Sequence, residues 1–226
     1  MHISVIIPAF NEELSIEKVI ADIPKTLVRE IIVVDNHCTD RTAKVAQAAG
    51  AKVVREDRKG YGYACLAGIA ALDSPEIVVF LDGDYSDYPS EMPLLVQPIL
   101  AGEADLAIGS RIRGVREKGA LLPQARFGNA LATFLIKLLF RAHHTDLGPF
   151  RAIRYNWLLD IDMQDKTFGW TVEMQVKAAK MGMRVCEVPV SYRKRIGQSK
   201  ITGTVKGTIL AGYKILTTIF RYGLVI

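Results

Sequence analysis

The stretch EIVVFLDGDYSD, residues 76–87, is an apolar run that ends abruptly in three aspartates, Asp82, Asp84 and Asp87. Residues two apart on an extended backbone share a face, so Asp82 and Asp84 can aim two hard oxygen ligands at one point. Gly83 between them permits a tight turn or a close backbone approach. Such a pair suits Mg²⁺ or Mn²⁺, with a diphosphate filling other coordination positions. Aspartate and glycine are equally at home in ordinary turns after a strand, and spacing alone divides the two readings about evenly.

The elements that must carry these residues follow from periodicity. HISVIIPAF, EIIVVD, AKVV and EIVVFLDGD are short, β-branched and continuously apolar, the pattern of strands buried on both faces of a parallel sheet. Between them EELSIEKVIADIP, TDRTAKVAQAAG, GYGYACLAGIAALD and PSEMPLLVQPILAG read as helices, with Thr39 as an N-cap, Gly50 as a stop and Pro98 as a possible kink. The alternation predicts a doubly wound α/β domain over residues 1–203 with a mainly parallel sheet, followed by an amphipathic helix over 204–226. In such sheets ligands bind at the carboxyl ends of the strands, and PAFNE, DNHCTD and DGDYSD all fall there.

Composition narrows the partners. A chain of 226 residues, half of them hydrophobic, suffices for one core, and the net charge of +5 suits an anionic surface or a phosphorylated substrate. Cys38, Cys65 and Cys186 have neither disulfide nor zinc spacing, and His37 beside Cys38 lacks ligand partners. The opening MHISVIIPAF starts a strand with no basic leader, and no run of about 18 apolar residues is present. These features predict a cytoplasmic protein that touches a membrane without crossing it.

Taken together, VIIPAFNEE, VVDNHCTDRT, LDGDYSD, AIGSR, DLGPFRAIR and RKRIGQSK resemble glycosyltransferase family 2, in order and through nearly the whole chain. They look most like its dolichol- and polyprenyl-phosphate mannose or glucose synthases. The resemblance implies a Rossmann-like nucleotide-diphospho-sugar transferase (GT-A) domain. It implies that Pro8, Ala9, Asn11 and Glu12 line a nucleotide pocket together with Lys59 and Gly83, and that Asp35 contacts the base. Asp82 and Asp84 match the metal-binding DxD motif, and Ser86 stands where relatives often have an amide as a further ligand. Asn36 and Cys38 replace the Asp and Ser of many relatives.

The implied chemistry is inverting transfer of a hexose, mannose from GDP-mannose or glucose from UDP-glucose, to a polyprenyl phosphate. A divalent cation offsets the charge that grows on the departing diphosphate. A phosphate acceptor is largely ionised at neutral pH and needs cations rather than a base. Arg111, Arg126, Lys194, Arg195 and Lys200 are the candidates, since guanidinium forks match phosphate geometry. Relatives usually carry an arginine three residues before the glycine of RKRIGQSK, where this chain has Lys194 between two arginines. Asp146 would orient the acceptor, or act as base if the acceptor were a soluble hydroxyl. Glu173 reads equally as a catalytic or a paired structural acid.

Two helical segments bear on localisation. RFGNALATFLIKLLFRA places Arg126, Lys137 and Arg141 on one side and Phe134, Leu135, Leu138 and Leu139 on the other. TVKGTILAGYKILTTIFRYGLVI places Lys206, Lys214 and Arg221 opposite Val205, Ile209, Leu216, Ile219 and Phe220. The pattern predicts peripheral attachment to the cytosolic membrane face, though such faces also pack on a domain or a partner subunit, as in a homo-oligomer. Two other classes compete. A nucleotidyltransferase would need a glycine-rich loop where PAFNEE stands, and a non-catalytic lipid- or nucleic-acid-binding module gives Asp82 and Asp84 no task.

Overall fold

The computed structural model describes residues 2–197 and 205–224. Seven strands form one sheet: β1 (Ile3–Ala9), β2 (Glu30–Asp35), β3 (Lys52–Arg55), β4 (Ile77–Phe80), β5 (Leu106–Ser110), β6 (Arg151–Arg154) and β7 (Val185–Pro189). Their spatial order is β3-β2-β1-β4-β6-β5-β7, with β6 alone antiparallel to both of its neighbours. The continuous apolarity of the first strands has the expected cause. Ile3, Val5, Ile7, Val33 and Val79 feed one core, while Ile6, Ile32, Val34, Val78 and Phe80 feed the core on the opposite face. Each fully buried aliphatic side chain of this kind contributes about 1.5–3 kcal/mol.

The first core is covered by α1 (Ile16–Asp22), α2 (Thr42–Ala48) and α4 (Met92–Leu100). The second is covered by α3 (Tyr61–Ala70), α6 (Tyr155–Asp160) and α7 (Trp170–Lys180). Outside α7 lie α5 (Pro123–Phe140) and α8 (Val205–Leu224), joined by Ala132, Ile136, Val172, Val176 and Ile219 in a third cluster. The terminal helix therefore packs on the domain. The sequence pattern overreached at one cap. α2 begins at Thr42, and the backbone N–H of Thr39 bonds the Asn11 side chain instead.

The topology places the site. From β1 the chain builds outward to β2 and β3, then returns across β1 to β4, so the winding reverses between β1 and β4. Ligands of open α/β sheets bind at such a reversal, beyond the carboxyl ends of the strands. Pro8 fits this position. β1 pairs with β4 only as far as Ile6, so the N–H that proline lacks is not needed on that side. Beyond that point the two strand ends leave room between Ala9 and Asp82.

Candidate active site

Two cavities meet at the end of β4. The first, of about 450 Å³, is lined by Pro8, Ala9, Glu12, Lys59, Gly83 and Asp84, among others. The second, of about 550 Å³, runs between α5 and α8. Tyr61, Asp82, Phe168 and Arg195 line both.

The first cavity is built on strand ends and rigid loops. The Asn36 side chain donates to the Arg58 carbonyl at 2.8 Å and accepts the Gly60 N–H at 2.9 Å, which ties the loop before α3 to the end of β2. A Cβ at Gly60 or Gly62 would collide with the backbone of Lys166 and Asp165, so glycine alone allows this loop to lie against the segment carrying Phe168. Tyr61 is thereby aimed at Asp82, donating to Oδ1 at 3.0 Å. Lys59 lies 5.1 Å over the Phe10 ring, a cation held at the cavity edge.

The two aspartates differ in environment. Asp84 is 5% exposed. Its Oδ1 accepts the Ser86 N–H and hydroxyl, and its Oδ2 lies 2.7 Å from Arg195 Nη1. Asp82 is pushed up to about 7, first by burial and then by the charge of Asp84, with Arg195 opposing. Two carboxylates crowded together with their charge only partly offset present the hard oxygens and the excess negative charge that a divalent cation relieves. Among the described residues no group of three or more His, Cys, Asp or Glu side chains could hold a metal. The residues fit a cation held by Asp82 and Asp84, with substrate oxygens and water completing its shell. Ser86 does not join them, because it is 1% exposed with its hydroxyl spent on Asp84. It orients that carboxylate instead of presenting a ligand.

The second cavity is mostly apolar, with two guanidinium groups at its inner end. Arg111 is gripped by Asp146, whose Oδ2 accepts both the backbone N–H and Nε at 2.8 Å while Oδ1 accepts Nη2 at 2.8 Å. Burial opposes the charge on Arg111, but Asp146 overrides it and holds the guanidinium firmly protonated. Arg111 also lies 5.0 Å over the ring of Tyr192, a second lining residue. From the wall formed by α8, Ala211, Gly212, Ile215 and Leu216 face the cavity.

Several sequence expectations are corrected by this geometry. Asp146 is fully buried and committed to Arg111 and to the Leu147 N–H, so it clamps an arginine and is not placed to serve as a base. Arg126 is exposed and lines neither cavity; it lines a neighbouring groove on α5 that shares Phe127 and Asn129 with the second cavity. Of the basic run, Arg193 lies between the rings of Tyr85 and Tyr88 at 3.3 and 4.1 Å and donates to the Tyr85 carbonyl. Lys194 is exposed and lines neither cavity, Arg195 lines both, and Lys200 falls outside the described residues. Asn11 and Asp35 bond Thr39 and Cys38 in the loop beneath the first cavity without lining it. Gly83 lines the cavity, yet a Cβ there would meet nothing closer than 3.5 Å, so close approach does not require glycine. Glu173 is structural, accepting from the Asp165 N–H, from Lys177 and from the Tyr222 hydroxyl.

Nothing in the sequence singles out Tyr61, Phe168 or Tyr192. GYGY was legible only as a helix start, and the segment that seats Phe168 is brought in by tertiary contact. In the sequence Asn36 stands out only as a departure from relatives, yet its two bonds hold the wall of the first cavity.

Comparison with known proteins finds relatives along most of the chain. An uncharacterized glycosyltransferase of Mycobacterium tuberculosis is 38% identical over 212 residues, covering 92% of this chain and 94% of its own length. A dolichyl-phosphate hexose transferase of Haloferax volcanii is 35% identical over 206 residues, covering 88% of this chain and 86% of its own. Among solved structures, glucosyl-3-phosphoglycerate synthase from Mycobacterium tuberculosis in complex with Mn²⁺, UDP-glucose and phosphoglyceric acid superposes with a TM-score of 0.79 at 26% identity. That match covers 99% of this chain and 80% of the synthase. The family model for glycosyl transferase family 2 matches residues 4–162, which include all but the first residue of β1, strands β2 through β6 and both aspartates, and the chain belongs to that family of enzymes.

Proposed function

We propose that the enzyme transfers a hexose from a nucleotide diphosphate sugar to the phosphate of a polyprenyl phosphate. One observation carries the reading: the acceptor-side cavity is walled by apolar residues of α5 and α8 and ends at Arg111 and Arg195, next to Asp82. A long apolar chain fits such walls, and its phosphate fits two guanidinium groups at the inner end. The family relationship to a dolichyl-phosphate hexose transferase supports the same reading.

In this reading the first cavity holds the nucleotide sugar, with Lys59 at the diphosphate side and Asp82 and Asp84 holding Mg²⁺ or Mn²⁺. The cation, when bound, neutralises charge on the leaving diphosphate. Tyr61 fixes the orientation of Asp82, and Ser86 that of Asp84. Arg195 borders both cavities, so its guanidinium is placed to bridge donor diphosphate and acceptor phosphate. Arg111, pre-oriented by Asp146, binds the acceptor phosphate without first losing rotamer freedom. The attacking phosphate oxygen arrives ionised and displaces the diphosphate with inversion.

A soluble phosphorylated acceptor with a hydroxyl nucleophile is the second reading, favoured by the matching structure that carries phosphoglyceric acid. A hydroxyl would need a base. Among the residues lining the acceptor cavity the one carboxylate is Asp82, which this reading already uses for the cation. The test is transfer from labelled GDP-mannose and UDP-glucose to a polyprenyl phosphate against phosphoglycerate, each with Arg111→Met. Organic-phase product lost in the variant supports the lipid reading; product from phosphoglycerate alone supports the second.

A further inference from the structure

The proposed reaction leaves one feature unused. On α5, Phe127, Leu131, Phe134 and Leu138 stand exposed at i, i+4, i+7 and i+11, a single stripe. Ile209, Tyr213 and Phe220 are exposed on α8 with the same spacing, Leu216 completing the row. Apolar side chains aligned on two adjacent helices are unusual on a surface that meets only water. Both stripes run into the acceptor cavity, since Phe127, Leu131 and Leu216 belong to the stripes and also line it. Gly223 of α8 lies against Leu139 and Phe140 of α5, so the helices touch near their C-terminal ends while the cavity opens between their N-terminal halves.

Charge identifies the occupant. Neither α5 nor α8 contains an aspartate or glutamate. Arg126, Lys137, Arg141 and Arg221 are exposed at the borders of the stripes, and Arg126 and Lys137 line a groove of about 590 Å³ beside Phe127 and Phe134. Lys214, expected on the basic side, is turned to Asp165 at 2.9 Å and takes no part. The side chain of Lys206 lies outside the described residues. No described helix is long and apolar enough to cross a membrane.

We infer that the α5/α8 face docks on an anionic lipid bilayer, the stripes entering the acyl boundary and the flanking cations meeting headgroup phosphates. Docking in this orientation puts the mouth of the acceptor cavity on the bilayer, so a lipid phosphate enters sideways without its chain crossing water. The docking itself is independent of the acceptor; the route of entry rests on the lipid-phosphate reading.

The experiment compares wild type with a Phe134→Glu/Leu138→Glu variant, neither residue lining the acceptor cavity. Co-sedimentation is measured with vesicles of phosphatidylcholine alone and of phosphatidylcholine containing phosphatidylglycerol, and transfer is measured with polyprenyl phosphate in those vesicles or dispersed in detergent. Wild type is expected to sediment with the anionic vesicles and the variant to lose at least about tenfold of that binding, while transfer to detergent-dispersed acceptor is kept. Wild type that labels dispersed acceptor but sediments with neither vesicle overturns the docking and leaves the function standing. Vesicle binding lost in the variant, with no lipid labelled in any form, supports the docking and removes the acceptor reading. A wild-type dimer that the variant makes monomeric, with no vesicle binding by either, assigns the face to a second copy and overturns the proposal.

Discussion

The cavities proposed for donor and acceptor share four lining residues but are held in place differently. The donor cavity rests on the carboxyl ends of β1, β2 and β4, strands buried on both sides, and its loops are pinned by side-chain bonds to the main chain such as those of Asn36. The acceptor cavity rests on helices α5 and α8 in an outer layer, and its polar end is set by side chains that hold one another, Asp146 gripping Arg111 and Asp84 holding Arg195. Strand ends and hydrogen bonds to the main chain position the walls of one cavity, and ion pairs position the polar end of the other, with Arg195 common to both. Substitutions on the donor side should therefore affect chemistry with little loss of stability, while those at the acceptor end should affect acceptor binding and, where a buried charge is orphaned, the fold.

The largest effect is expected at Asp84. Asp84→Ala is expected to lower kcat for transfer by about 10³-fold, the scale of losing a principal electrostatic stabiliser, with the thermal midpoint little changed because its partner Arg195 keeps 31% of its side chain exposed and is not orphaned in the core. Steady-state kinetics beside a melting curve checks both halves, and a variant that melts early without losing specific activity would make Asp84 structural.

Asp146→Asn comes next. It leaves the Arg111 guanidinium buried without its counter-charge, and breaking such a pair costs about 3–5 kcal/mol, readable by urea denaturation. Because Asp146 clamps and does not act as a base, the surviving activity should keep the pH profile of the wild type. Loss of the acidic limb would reinstate it as a base.

Gly212→Phe sharpens the difference between the cavities. A Cβ at Gly212 meets nothing within 4 Å, so the ring is free to enter the acceptor cavity. The acceptor KM should rise by at least about 10–200-fold with donor affinity unchanged, the cost of a single methylene mismatch in an apolar pocket. Calorimetric titration with nucleotide separates the two.

A smaller effect follows from Asp82. Its carboxyl is raised to about 7, so between the ordinary carboxylate range and about 7 the folded chain holds a proton that the unfolded chain has released. Metal-free protein should lose stability as pH rises through that window, and saturating Mn²⁺ should abolish the loss. Each kcal/mol appears as about 2–4 °C in Tm for a chain of this size. The least effect is predicted for Arg126→Ala, which should leave transfer to detergent-dispersed acceptor within about twofold, since the side chain lies outside both cavities.

Much of the donor half was legible in the sequence because buried parallel strands announce themselves as continuous β-branched runs, and a topological reversal follows from their order. EIIVVD matches β2 residue for residue, but β4 stops at Phe80, so Asp82 and Asp84 lie beyond the strand, just before and in a turn, and not on its extended end as EIVVFLDGD predicts. The acceptor half was less legible. Periodicity located α5 and α8 but not the directions their charges take, so Arg126 turned outward and Lys214 turned to Asp165. Antiparallel β6 and the seat of Phe168 depend on contacts distant in sequence. Asp146 and Arg111 lie 35 residues apart, and only the fold reveals one as the clamp of the other.

The most direct test of the central claim incubates the purified enzyme with Mn²⁺, a panel of labelled nucleotide sugars and a polyprenyl phosphate, and counts sugar in the organic phase. The two-cavity account predicts transfer from a single donor, abolished by EDTA and by Asp84→Ala, with Arg195→Met raising the acceptor KM and lowering kcat together. Metal-dependent donor binding with no lipid product, and product appearing on a soluble phosphorylated acceptor instead, would contradict it.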